Sequence, residues 1–150
     1  MSNCIVKQLL TSSTQLDLLL YAAIFSQNIQ STNRYKIKGI SFVSYHKSWI
    51  YLANWLGMTE AANIEPKPGV PPGSAYIADL LGRIPALKAR MIVYAAYEDP
   101  KPSQFVAEKS HLPAVMLPFT VGGDDASKDI IGFYQDTVNR LLAALGGKSG

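Results

Sequence analysis

Apolar positions along the chain switch between two spacings, and the switches mark the elements. Leu16, Leu19, Leu20, Ala23 and Ile24 recur at helical spacing behind Ser12, Ser13 and Thr14, which can cap a helix. This predicts one long amphipathic helix over about 13–32. Residues 40–45 are β-branched and aromatic, a strand. A helix is expected over about 47–56, stopped by Gly57. A second strand is expected near 61–65. Pro66, Pro68, Pro71 and Pro72 then forbid a helix or an inner strand and predict an extended surface loop. Ser74 can cap a helix to about 81. Residues 91–97 form a nearly continuous apolar run, as expected of a strand buried on both faces. A helix over about 103–110 leads to a strand over 114–119. Gly122 and Gly123 break the chain, and Asp125 or Ser127 caps a last helix. Its buried face is marked by Ile130, Tyr134, Val138, Leu141 and Leu145, and Gly146 and Gly147 end it.

One helix followed by four strand–helix units predicts an α/β fold. Its core is a four-stranded, mostly parallel sheet flanked by helices and preceded by the long amphipathic helix. A length of 150 residues suits one domain, and 48% hydrophobic with 17% charged residues is ordinary for a globular chain. The net charge of +3 is spread over scattered lysines and arginines, so nucleic-acid binding is not expected. Cys4 is the one cysteine, which excludes an intramolecular disulfide and a cysteine-rich metal site. Residues 16–25 are apolar but carry Asp17, and no small-residue cleavage site follows. The run is too short to span a bilayer and makes a poor secretory signal.

Ligands of such sheets bind beyond the carboxyl ends of the strands. Three stretches qualify: 45–49 after the first strand, the proline loop after the second, and 120–129 after the last. His46 is the leading candidate, because a neutral imidazole held at a sheet edge can bind a metal. The plain alternative is a structural histidine hydrogen-bonded at a strand end. His111, in a polar turn before Leu112-Pro113, reads as a solvated loop residue. Asp124, Asp125 and Asp129 surround the start of the last helix, where acidic groups cap and complement the helix dipole. One of them could also supply a carboxylate ligand. Asp124 ranks first because Gly123 lets the backbone bend toward the cleft. Glu65 is a further carboxylate at a strand end. Ser48, two residues from His46, is poorly placed as a nucleophile, and no Gly-x-Ser-x-Gly elbow is present.

Together these stretches are more specific than apart. SYHKSWIYLANWLG, IEPKPGVPPGSA, YEDPKPSQFVAEKSHLPAVMLPFTVGGD and the closing amphipathic helix occur in this order. They resemble the carboxy-terminal lobe of the periplasmic zinc/manganese solute-binding proteins of ABC transporters. The resemblance implies that residues 1–35 are an amino-terminal segment with part of an inter-lobe helix, and that 36–150 are the carboxy-terminal lobe. It implies a non-enzymatic binding component with zinc, or manganese, as its metal. It also implies an ABC transporter permease as partner and a periplasmic setting. His46 falls on the family's carboxy-lobe histidine ligand, and the family's acidic ligand follows the last strand, here Asp124, Asp125 or Asp129. A closed zinc site takes about four ligands. One lobe offering His46, a carboxylate and water is expected to bind weakly alone, and a second chain could supply the rest. Two rivals remain. One is an interaction half of a split or self-associating receptor, driven by apolar surface the other lobe would cover. The other is a small α/β enzyme using His46 and an aspartate as acid and base in a deep pocket.

Overall fold

The computed structural model describes residues 34–146; Cys4 and the helix expected over 13–32 lie outside them. From Lys36 onward the described residues form one compact unit. A short helical stretch, α1 (Arg34–Ile37), leads into β1 (Ser41–Ser44), α2 (Ile50–Leu56), β2 (Thr59–Asn63), α3 (Ser74–Leu87) and β3 (Ala89–Ala95). Then follow α4 (Pro100–Ser110), β4 (Ala114–Leu117) and α5 (Ile130–Gly146). The four strands are all parallel, in the order β2-β1-β3-β4, as expected of the α/β fold. Parallel neighbours need crossovers, and α2, α3 and α4 supply them. The chain steps outward from β1 to β2, then returns past β1 to β3. At that reversal the loops leaving β1 and β3 diverge, and sheets of this kind bind their ligands at the carboxyl ends of such a strand pair.

Both faces of the sheet are covered. On one, Val43 and Ile92 of the central strands pack with Ile77, Leu80 and Ile84 of α3 and Val106 and Ala107 of α4. On the other, Phe42, Val93 and Leu117 meet Trp49, Leu52 and Ala53 around α2 and Leu141 of α5. Two-sided burial explains why residues 91–95 read as a continuous apolar run. No helix among the described residues is long and apolar enough to cross a membrane.

Several boundaries differ from the sequence reading, each for a local reason. α3 does not stop near 81; it continues through Gly82 and Pro85 to Leu87. Ile84 is 4% exposed, and burying it outweighs the backbone bond that Pro85 cannot donate. α4 begins earlier, at Pro100, because the Asp99 carboxylate caps Lys101 N–H at 3.1 Å and a proline suits the first turn. The last helix is capped by Asp129, not Asp125 or Ser127: Asp129 Oδ1 accepts Gly132 N–H at 2.7 Å. Its buried residues are Thr137, Val138 and Leu141, whereas Ile130 is 55% exposed.

α3 and α4 both end on non-glycine residues in the left-handed region, Lys88 at φ 52° and His111 at φ 55°. His111 is exposed, as expected, but it also serves as the helix cap, with its N–H bonded to the last turn. A Cβ in that region is strained. Lys88→Gly and His111→Gly are each expected to raise stability by a few tenths to about 1 kcal/mol, net of the added unfolded-state entropy. Urea midpoints at unchanged m-value measure this.

Candidate metal centre

The hydrogen-bond ladder runs past the ends of the strands. Tyr45 N–H donates to Val93 O at 2.9 Å, Ile64 N–H to Ser44 O at 2.8 Å, and Glu65 N–H to Tyr45 O at 3.1 Å. This extension carries Glu65 alongside His46 at the carboxyl rim. A tight turn, Ser48 N–H to His46 O at 2.8 Å, then projects the imidazole from the rim, with the Tyr45 ring edge-on to it at 4.9 Å. His46 Nδ1 hydrogen-bonds Glu65 Oε2. The other oxygen, Glu65 Oε1, accepts Gly69 N–H at 2.7 Å. Gly69 sits at φ 77°, a conformation glycine adopts without strain. The proline loop therefore has a task. Its fixed shape presents Gly69 to Glu65, and Glu65 fixes the ring and tautomer of His46.

The second ring nitrogen, Nε2, faces Glu98 Oε1 at 3.8 Å. Glu98 lies three residues past β3 in a turn that closes on itself: its N–H reaches Ala95 O at 3.0 Å, and its Oε2 accepts Ala95 N–H at 2.6 Å. The Glu98 side chain is 1% exposed, and Oε1 has no hydrogen-bond partner. Burial pushes this carboxyl above the ordinary carboxylate range; the Ala95 N–H and His46 oppose the shift and Glu65 adds to it. Burial likewise raises the Tyr45 hydroxyl, with Glu65, Asp99 and Glu98 adding to it, and the Tyr97 hydroxyl, with Glu98 and Glu65 adding and Ser48 opposing.

Asp124 stands elsewhere on the rim. β4 is parallel to β1 with β3 between them, so both following segments leave the same edge of the sheet. Asp124 Oδ1 accepts the N–H groups of Ser127 (2.9 Å) and Ala126 (3.1 Å). Its Oδ2 pairs with Arg140 Nη2 at 2.5 Å. Arg140 also binds Asp136 at 2.6 Å and Met116 O at 3.2 Å, so it staples the loop to α5 and to the end of β4. The Asp124 carboxyl is held below the ordinary range, first by the Ser127 side chain, then by Arg140 and the two backbone N–H groups, against desolvation. The Ser127 hydroxyl makes no hydrogen bond of full geometry, so the N–H groups and Arg140 carry the hold. A carboxyl whose folded pKa is depressed stabilises the fold above its unfolded value, 3.8, and loses that contribution as pH falls through the folded value. Asp124→Asn is therefore expected to flatten the acid limb of the stability–pH curve below about pH 4, measured by thermal melts between pH 2 and 6.

Asp125 is exposed and 3.9 Å from Lys128, Asp129 is the α5 cap, and Ser48 is exposed. Among the described residues, the ionic partners of His46 are Glu65 and Glu98, not an aspartate. Sequence reasoning missed Glu98. Its only signal was an acidic residue just past the third strand, and the strand order was needed to place it beside β1. No set of three His, Cys, Asp and Glu side chains among the described residues could hold a metal ion. Glu65 lies on the Nδ1 side of the ring and Glu98 on the Nε2 side. Around the rim, Tyr97 packs edge-on against Phe119 at 4.8 Å and Trp49 against Phe119 at 6.2 Å. Tyr97 and Phe119 remain 59% and 46% exposed.

Comparison with known proteins gives three results. No curated protein matches. Among solved structures, similar ones include a manganese-bound mutant of a periplasmic metal binding protein from Candidatus Liberibacter asiaticus (13% identity, TM-score 0.65, 87% of this chain and 51% of that one) and a cadmium-bound form of that protein (13%, TM-score 0.62, 87% and 51%). A mutant laminin-binding adhesin from Streptococcus agalactiae is also similar (15%, TM-score 0.56, 83% and 46%). At these identities the likeness shows the fold, and the chain spans about half the length of those structures. The family described as zinc-uptake complex component A, periplasmic, matches residues 23–145, most of the chain, and the chain belongs to that family.

Proposed function

We propose that this chain is the carboxy-terminal, metal-facing lobe of a solute-binding receptor that delivers zinc or manganese to an ABC importer in the periplasm. The observation that carries this is His46. It stands at the carboxyl rim of the sheet where the strand order reverses, with one nitrogen held by Glu65 and the other beyond hydrogen-bond reach of Glu98. Family membership and the metal-bound neighbours support the same reading. A ring nitrogen as anchor suits zinc somewhat better than a wholly carboxylate site would. The lobe presents fewer donors than the roughly four of a closed zinc site, so the described residues alone hold metal weakly. The remaining ligands belong to another lobe or a second chain. The role is binding rather than catalysis.

Titration of the full chain with Zn2+ and with Mn2+ tests this. Saturable binding weaker than about micromolar, stronger for Zn2+, is expected. Absence of any binding at millimolar metal would overturn the reading. A second reading, self-association, draws on the exposed Tyr97, Phe119 and Val121 at the same rim. Light scattering that returns a monomer at high concentration excludes it.

A further inference from the structure

Resting on the receptor reading, we infer that the lobe's second metal donor is Glu98, with the cation held between His46 Nε2 and Glu98 Oε1. Three observations carry it. With Nδ1–H committed to the acceptor-only Glu65 carboxylate, a neutral His46 turns the lone pair of Nε2 outward. The atom it faces, Glu98 Oε1, is another electron-pair donor, buried and without a hydrogen bond. Two electron-pair donors facing each other are complementary to a cation, and an oxygen orphaned in a 1%-exposed side chain calls for a partner. The separation also fits. At 3.8 Å it exceeds hydrogen-bond reach. Two ligands about 2.0–2.2 Å from zinc at a tetrahedral angle stand about 3.4 Å apart, a few tenths of an ångström closer. A small rotation of the imidazole brings the pair to that spacing. Both groups are already fixed from behind, His46 by Glu65 and Glu98 by Ala95 N–H at 2.6 Å, so little ordering remains on binding.

Asp124 lacks each of these properties. Its two oxygens are taken by Arg140 and by the N–H groups of Ser127 and Ala126. Recruiting it would break that brace. The strand order gives the same assignment: β1 and β3 are hydrogen-bonded neighbours, so the ends bearing His46 and Glu98 adjoin, whereas β4 is one strand further out.

The test uses the full chain, Zn2+ as probe, and the ring resonances of its two histidines, followed by NMR. In the wild type, His46 signals are expected to move saturably with Zn2+ while His111 serves as the internal control. Glu98→Gln is nearly isosteric and can still accept Ala95 N–H. It is expected to weaken binding by about tenfold or more, while Asp124→Asn stays within about twofold of wild type at neutral pH. Glu98→Gln binding like wild type, or a loss confined to Asp124→Asn, overturns the assignment and leaves the receptor reading in place. No movement of His46 at millimolar Zn2+ in the wild type overturns both. If Glu98→Gln does not fold, Glu98→Asp keeps the charge but withdraws the carboxylate from His46. The same tenfold loss is then required of it, and wild-type affinity overturns the assignment.

Discussion

Replacing His46 with alanine is expected to abolish saturable zinc binding, a loss of at least about a hundredfold, because on the receptor reading it removes the nitrogen that would anchor the metal. His111 cannot substitute. α4 starts from the rim after β3 and ends just before β4, so its cap lies at the opposite edge of the sheet. Glu65→Gln should fall between alanine and wild type. An amide can still meet Gly69 N–H, but it holds Nδ1–H less firmly than a carboxylate does. Losses of about 10–100-fold are usual for groups that orient a ligating histidine. Competition titration against a chelator of known affinity measures both. An affinity unchanged in His46→Ala would remove the basis of the receptor reading, and an unchanged melting temperature would show that the loss is one of ligation rather than folding.

Phe42→Ala is expected to cost the fold about 3–5 kcal/mol, the largest effect of a single side chain on stability. Phe42 is 2% exposed on the central strand and faces Trp49, Leu141 and Leu117. Close packing leaves the neighbours little room to collapse into the vacated volume. Against a total stability of about 5–15 kcal/mol, such a loss populates the unfolded state visibly at physiological temperature. Urea denaturation should show a much lower midpoint. Tyr51→Ala, at an 86% exposed position of α2, should stay within about 0.5 kcal/mol of wild type. Equal effects at the two positions would contradict the two-sided packing described for the sheet.

The sequence carried the strand–helix alternation because apolar periodicity records burial directly. Val43 and Ile92 on one face and Val93 on the other are all buried, and their strands read as such without ambiguity. Boundaries were harder where competing preferences meet. β2 is Thr59–Asn63 rather than 61–65, because its half-buried edge position leaves no strong apolar signature. The ladder bonds nevertheless continue through Ile64 and Glu65. His46 was readable as the one ring nitrogen directly after a strand. Glu98 was not, because an acid in the polar turn Tyr97-Glu98-Asp99-Pro100 reads as solvated. Only the adjacency of β1 and β3 and the closed turn on Ala95 bury it. Asp124 invited a ligand role because acids near a sheet rim can cap a helix or bind a metal. Its partner Arg140, sixteen residues on and on another element, was not legible in the sequence.

The order β2-β1-β3-β4 has a kinetic consequence. No neighbouring pair forms a hairpin: Ser41 aligns with Thr59 on one side and with Ala89 on the other. High contact order slows folding, since each crossover must close before any strand gains its partner. A chain emerging during synthesis therefore leaves Phe42 and Val43 uncovered until the segment around Ala89 has been made. The nascent chain is open to self-adhesion during that interval, and a truncation before β3 should yield an aggregating fragment rather than a smaller folded one.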